Sequence, residues 1–210
     1  RELLSFNSEL FSPISLNLLS KHNVKIIIKN INNMNSPGTL IAHDSQITPN
    51  VAKAVAHIEN VSIITLEGIN IQNLIPRILE RFIENNIEIK TLSLSTSATE
   101  LSIIVPNTAL NKCKSLIEFE FLGKGINDYH VVNNACVISI VGDGMKGTPG
   151  VAARLFSSVA RNSINVLMII QGSSEMNIGF AVDSSSCVRA LTAVHHEFIE
   201  TGQKQNGCRC

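Results

Sequence analysis

The stretch LMIIQGSSEMNIGFAV (residues 167–182) places two apolar, β-rich runs on either side of the turn-like GSSE. It therefore reads as a hairpin, and the hairpin decides what precedes it. Upstream lie a strand, ACVISIV (135–141), a glycine loop within VGDGMKGTPG (141–150), and a helix, GVAARLFSSVARNS. In that helix Val151, Leu155 and Val159, with Ala152 and Phe156, recur at helical spacing. Gly142, Gly144 and Gly147 satisfy G-x-G-x-x-G, the pattern that lets a backbone approach a dinucleotide pyrophosphate. A parallel dinucleotide-binding sheet would need another crossover helix after the second strand, where this chain turns back at once. That fold also wants an acid at the end of the second strand. Here the strand ends in Gln171-Gly172, and Glu175 lies beyond it. Lys146-Gly147-Thr148 is not the Gly-Lys-Thr of a phosphate P-loop. The fold class predicted is antiparallel α+β.

The unit continues with SSSCVRALTAVHHEFIE (184–200), a second helix whose serines are candidates for its cap. The same order occurs earlier, as a strand VSIITL, a helix IPRILERFIENN, strands IEIKTLSLS and ELSIIVP, and a helix NTALNKCKSLIEFEF. Ile87 aligns with Ile164 and Val105 with Val182 at one offset of 77, which argues for duplication. The copies part at the loop, where copy one has EGINIQN, about two residues shorter and without the later glycines.

Each β-α-β-β-α unit wants one more strand to complete a ferredoxin-like layer. Copy one finds it in INDYHVV (126–132), whereas copy two is followed only by the polar tail TGQKQNGCRC. The spare strand is VAKAVAHIE (51–59), ahead of copy one. The prediction is two ferredoxin-like β-α-β-β-α-β domains, the first nested in the second. The expected boundaries are 60–133 for the inserted domain and 46–59 plus 134–202 for its host. Residues 1–45 precede them, with a helix, a buried strand VKIIIKN and a turn at Ser36-Pro37-Gly38. Residues 203–210 are expected to be a disordered tail.

Seventeen basic residues balance seventeen acidic ones among 210, so charge gives no reason to expect nucleic acid or an anionic membrane as partner. The apolar runs are short of a membrane span, no secretory leader opens the chain, and a cytoplasmic setting is expected. Asn60-Val61-Ser62 is accordingly read as a chance sequon. Cys113, Cys136, Cys187, Cys208 and Cys210 form an odd, scattered set, expected to be reduced. HHEFIE lacks the second His that a metalloprotease motif needs, since Glu200 stands four residues after His196; an amphipathic helix is expected, with no metal site.

Two readings of the glycine loop stay open on these residues. Unpaired N–H groups at a helix start attract a carboxylate, and Pro149 lies close to the favoured first turn. Asp143, Asn165 and Gln171 could meet an ammonium, so an amino acid fits. Alternatively, the glycines only permit close helix–sheet packing.

The run GDGMKGTPGVAARLFSSVARNSINVLMIIQGSSEMNIGFAV is similar to the G-x-G-M-x-G-x-x-G … N-I-N-V … Q-G-S-S-E signature of aspartokinase regulatory regions, which carry tandem ACT domains, one nested in the other. FNSELFSPIS and VKIIIKNINNMNSPGTLI resemble the close of the family's kinase domain, making residues 1–45 a remnant of it, although Asn7, Glu9 and Ser12 depart from the pattern. The resemblance implies feedback inhibition of L-aspartate phosphorylation by an end-product amino acid, and a homodimer. QGSSE and CVRALTAVHHEF look most like the bifunctional aspartokinase–homoserine dehydrogenases, which points to threonine over lysine and to a dehydrogenase after residue 210. The expected ligand site is in copy two: Asp143, Gly144, Met145, Lys146, Gly147, Thr148, Pro149, Gly150 and Val151 of the loop, with Asn165 and Gln171. In copy one Leu94 stands where copy two has Gln171. A decayed site in a purely architectural dimerisation module is the alternative. The parent kinase would use ATP and magnesium, but its nucleotide- and aspartate-binding motifs, including K-F-G-G-[ST], are absent here. These 210 residues alone are therefore expected to make no aspartyl phosphate in a hydroxamate assay with ATP and L-aspartate.

Overall fold

A computed structural model of the chain describes residues 21–22, 24–41 and 51–201. The helix expected around FNSELFSPIS, the tail 203–210, and Cys208 and Cys210 lie outside these residues. Strands β1 (Ile26–Ile28) and β2 (Thr39–Ile41) form a hairpin whose turn uses Gly38 at φ 74°. The expectation of a buried strand here is corrected. Ile27 is 56% exposed and Leu40 likewise, because β1 and β2 pair only with each other.

The remaining elements are β3 (Ala54–Glu67), α1 (Ile75–Glu84), β4 (Thr91–Leu94), β5 (Glu100–Pro106), α2 (Leu110–Glu120), β6 (Asp128–Val141), α3 (Val151–Arg161), β7 (Met168–Gln171), β8 (Asn177–Asp183) and α4 (Cys187–His195). One antiparallel sheet runs β4-β5-β3-β6-β8-β7. It contains two ferredoxin-like orders that share their middle. Copy one uses β4, β5, Val61–Glu67 of β3 and the first half of β6. Copy two uses β7, β8, the second half of β6 and the start of β3, where Ala54 pairs with Val141 and Ile58 with Val137. That last pairing is the one nesting requires.

The sequence suggested four separate strands where the structure has two of 14 residues each. The crossing from one copy to the other is made inside the strands. Register shifts fall between Ile58 and Val61 and between Val61 and Ile63. Asn60 (φ 57°) and Asn134 (φ 53°) take the left-handed conformation there, which asparagine tolerates better than other side chains bearing a Cβ. A polar clamp spans the crossing: buried Ser62 donates to Asn107 Oδ1 (2.6 Å), and Asn107 donates to Asn134 Oδ1 (2.8 Å).

Alternation along the strands separates three cores. Ile64, Leu66, Ile103 and Val105 pack under α1 and α2 with Ile78, Phe82 and Ile117. Ile138, Ile140, Phe180 and Val182 pack under α3 and α4 with Leu155, Val159 and Val194. The helix-free face buries its own cluster from both copies, in which Val61, Ile63 and Ile104 meet Ala135, Val137, Met168 and Ala181. The duplication is visible in the ladder itself. Thr91↔Ile104 and Met168↔Ala181 are related by 77 residues on both strands. Val61↔Pro106 and Ala135↔Asp183 are related by 74 and 77, so copy two's loop is three residues longer, not about two.

Two further expectations are corrected. Cys136 and Cys187 are joined in a disulfide, because β6 and the start of α4 bring their Cα atoms to 5.8 Å. Cys113 is free, and burial pushes its thiol up to about 11. The serines do not cap the last helix through their side chains; Asp183 accepts from the Ser185 N–H and hydroxyl at its start. Beyond α4 the HHEFIE segment loosens into a π turn, His196–Glu200.

Two outcomes are expected. Asn60→Val should lower unfolding stability by about 1–2 kcal/mol, because a β-branched residue resists the left-handed conformation, while Asn60→Gly should lose little; urea titration compares them. The hydrogen bonds from Ser185 hold Asp183 below the usual carboxylate range. Its contribution is therefore complete above the unfolded value and fades as pH falls through the lowered one. Asp183→Asn keeps a cap that does not titrate, so the stability gap between the two proteins should close on going from about pH 5 to about pH 2.

Candidate functional site

The glycine loop leaves β6 at Val141 and enters α3 at Val151. Gly142 is extended, and its N–H donates to Met176 O at 3.0 Å. It permits a close approach, since a Cβ there would stand 2.4 Å from Val51 O and 2.8 Å from Ala52 Cα. Residues 51–53 thus lie against the loop, with Lys53 N–H on Val141 O at 2.8 Å. Asp143–Met145 forms one 3-10 turn in which Met145 is buried against copy two's core. Gly147 (φ 65°) and Gly150 (φ 86°) are left-handed, and Gly150 rather than Pro149 stands at the cap of α3. Pro149 accordingly lies outside the helix. Thr148 donates its hydroxyl to Gly144 O at 2.7 Å and its N–H to Met145 O at 3.0 Å. Lys146 through Gly150 are exposed, and Val151 is buried.

Two side chains from outside the loop bind its ends. Lys53 Nζ lies 3.0 Å from Asp143 Oδ2, with both side chains about one-third exposed (34% and 29%). Glu175, in the turn between β7 and β8, accepts from the Gly147 N–H at 2.8 Å. Glu175 has φ 55°, a conformation uncommon for glutamate. Neither Lys53 nor Glu175 was foreseen in this role. Lys53 is ninety residues from Asp143, and Glu175 drew notice only as an acid wrongly placed for a ribose.

Gln171 ends β7 opposite Ile178, at the end of the sheet where Val141 pairs with Asn177, and is exposed. It shares that end with the loop. Asn165 does not. The chain enters β7 at the level of Ala181, where Leu167 N–H meets Ala181 O, and Asn165 precedes that point. Since Ala181 pairs with Val137, Asn165 lies toward the opposite end of the sheet, exposed. Within one chain it cannot join the loop residues.

Copy one's loop is built differently. Gly68 and Ile71 donate their N–H groups to the backbone carbonyls of Thr99 and Ala98. The Ile71 side chain is fully buried, and Leu94 ends β4 where Gln171 ends β7. The Gly68 bond repeats the one from Gly142 to Met176 O, and buried Ile71 repeats buried Met145; the copies differ in that the Ile71 N–H is closed by the Ala98 carbonyl, whereas the Gly147 N–H is met by the Glu175 side chain.

Among the described residues no group of three or more His, Cys, Asp or Glu is arranged to hold a metal, and no helix is long and apolar enough to cross a membrane.

Residues 138–198 match the family described as ACT domain. The bifunctional aspartokinase/homoserine dehydrogenase of Haemophilus influenzae is 28% identical over 202 residues, covering 92% of this chain and 25% of that protein. The chain therefore spans about a quarter of that relative's length. Aspartate kinase from Clostridium acetobutylicum superposes with a TM-score of 0.85 over 94% of this chain and 47% of its own, at 24% identity. The regulatory subunit of aspartate kinase from Thermus flavus gives 0.63 over 70% and 98%, also at 24% identity. Aspartokinase III of E. coli, in complex with lysine and aspartate, gives 0.76 over 94% and 44%, at 17% identity. These structural likenesses speak to the fold. Residues 138–198 thus match the ACT domain family, and the chain that carries them is similar over 92% of its length to a bifunctional aspartokinase/homoserine dehydrogenase and shares over 70% of its length the fold of an aspartate kinase regulatory subunit.

Proposed function

We propose that this chain is the amino-acid-sensing regulatory region of an aspartokinase, and that copy two's loop binds the effector. The observation that carries the reading is the charge pattern at the loop. One end holds an ammonium, from Lys53 on Asp143, and the other holds a carboxylate, from Glu175 on the Gly147 N–H. Those are the two charged groups of an amino acid. In copy one the Ile71 N–H is committed to the backbone carbonyl of Ala98, where copy two's Gly147 N–H meets the Glu175 side chain, so copy two is the sensing copy.

Threonine is proposed ahead of lysine, because QGSSE resembles the bifunctional enzymes; the lysine complex of the E. coli relative makes lysine the second reading. Asp143, the backbone from Gly144 to Val151, and Gln171 contact the ligand. Asn165 contacts it only if a second copy of the chain brings that residue in. Effector binding favours a less active state of the parent kinase through differential affinity for the two states. The parent would transfer phosphate from ATP, with magnesium, to the aspartate side-chain carboxylate. The domain limits proposed are 60–133 for the inserted ACT domain and 46–59 plus 134–202 for its host, following the pairing of Ala54–Ile58 with Val137–Val141.

A homodimer is part of the reading. The sheet ends at two unpaired edges, β4 and β7, which carry the exposed Leu92, Leu94 and Ile169. Such edges are a liability that association removes. Light scattering should give twice the chain mass, and a monomer with and without threonine or lysine would count against it.

Titration calorimetry tests the site. Gln171→Ala should weaken binding by roughly 5- to 150-fold, the loss of about 1–3 kcal/mol expected when a polar contact is removed. Leu94→Ala in copy one should change affinity little. Equal affinity for wild type and Gln171→Ala, or no heat with any amino acid, favours the architectural alternative, in which the chain only pairs subunits.

A further inference from the structure

The two side chains that show what the loop can bind also stand in the way of its ligand. We infer that Lys53 and Glu175 are built-in competitors, occupying the ammonium and carboxylate ends of the loop until an amino acid displaces them. The inference rests on the ligand reading above and adds how that site is tuned.

At the acidic end, Lys53 Nζ sits 3.0 Å from Asp143 Oδ2. The other oxygen, Oδ1, is buried, so an incoming ammonium meets the same Oδ2, where a second cation is repelled by the first. At the other end, Glu175 Oε2 accepts from the Gly147 N–H at 2.8 Å. A backbone N–H has one hydrogen, so a ligand carboxylate using it must replace Glu175. Both contacts are suited to exchange. They are side-chain contacts at exposed or half-exposed positions, where an ion pair contributes little net stability and each long side chain gains freedom on release. Glu175 is also held at φ 55°, in the five-residue turn that links Gln171 to β8. Copy one provides the contrast, because no amino acid can displace the Ala98 carbonyl from the Ile71 N–H without opening the turn between β4 and β5.

The ammonium competitor has a second consequence. Lys53 belongs to the segment 51–53, which lies on Gly142 and leads into β3. Ligand arrival at Asp143 frees that side chain and removes one of the contacts holding the segment to the loop. Lys53 is thus the point where occupancy of the loop is felt by the strand that both copies share.

The test uses the full 210-residue chain in wild-type, Lys53→Met and Glu175→Ala forms. The probes are L-threonine, L-lysine, 1-amino-2-propanol (threonine without its carboxylate) and 3-hydroxybutanoate (threonine without its ammonium), each titrated calorimetrically at 0.1 M salt or about that value. Lys53→Met is expected to tighten the effector amino acid and 1-amino-2-propanol by roughly two- to fivefold, the range of a part-exposed ion pair, and to leave 3-hydroxybutanoate unchanged. Glu175→Ala is expected to tighten the effector and 3-hydroxybutanoate and to leave 1-amino-2-propanol unchanged. Thermal melts confirm that each variant is folded. Wild-type binding that is equal or weaker in both variants overturns the inference while leaving the site intact. Gains that do not follow the missing charge, such as tighter 3-hydroxybutanoate with Lys53→Met, overturn it too. Absence of binding by every folded form overturns the site and this inference together.

Discussion

Everything else in the molecule hangs on the antiparallel pairing of β3 with β6. The ladder runs from Ala54↔Val141 to Glu67↔Asp128, and each strand serves copy two at one end and copy one at the other. Eleven backbone pairs are interrupted only at the crossing, where Asn60 and Asn134 turn left-handed and the side chains of Ser62, Asn107 and Asn134 bridge the gap. The irregularity lets both copies keep their apolar alternation. Without a shift, a strand carrying copy one's inward pattern would present the wrong face to copy two, since a slip of one residue exchanges the faces. The third core, drawn from both copies, follows from this geometry.

Much of this was legible in the sequence because duplication leaves a countable trace. The offset of 77, read from Ile87/Ile164 and Val105/Val182, recurs in the ladder pairs of the hairpins, and the missing strand of copy two was found by elimination. The fusion of strands was not legible. Asn60 and Asn133-Asn134 look like breaks, and nothing local distinguishes a turn from a single left-handed residue inside a strand. Cysteine parity likewise says nothing of which thiols meet, so the Cys136–Cys187 bridge was missed.

The site divides in the same way. Residues consecutive in the loop, Asp143 to Val151, could be named together from the sequence because motif and position coincide there. Asn165 was grouped with them because a linear motif treats all its letters as neighbours, while within one chain α3 carries the backbone the length of the sheet before Asn165. Lys53 and Glu175 were missed for the opposite reason. Their relevance comes from the sheet, which sets the start of β3 and the turn after β7 beside the end of β6.

The nesting also sets an order of assembly. The host's own strands, Ala54–Ile58 and Val137–Val141, are separated along the chain by the whole inserted copy, and closing so long a loop has an entropic cost that grows with its length. Copy one is continuous, and its hairpin of β4 and β5 is local. Once it has formed, Val61 and Ala135 are already opposite each other, and the ladder can extend into the host by zippering, without a further search. The inserted domain is thus the template that closes its host. A fold defect in copy one, which holds no proposed ligand, would reach copy two's loop as a failure to align β3 against β6.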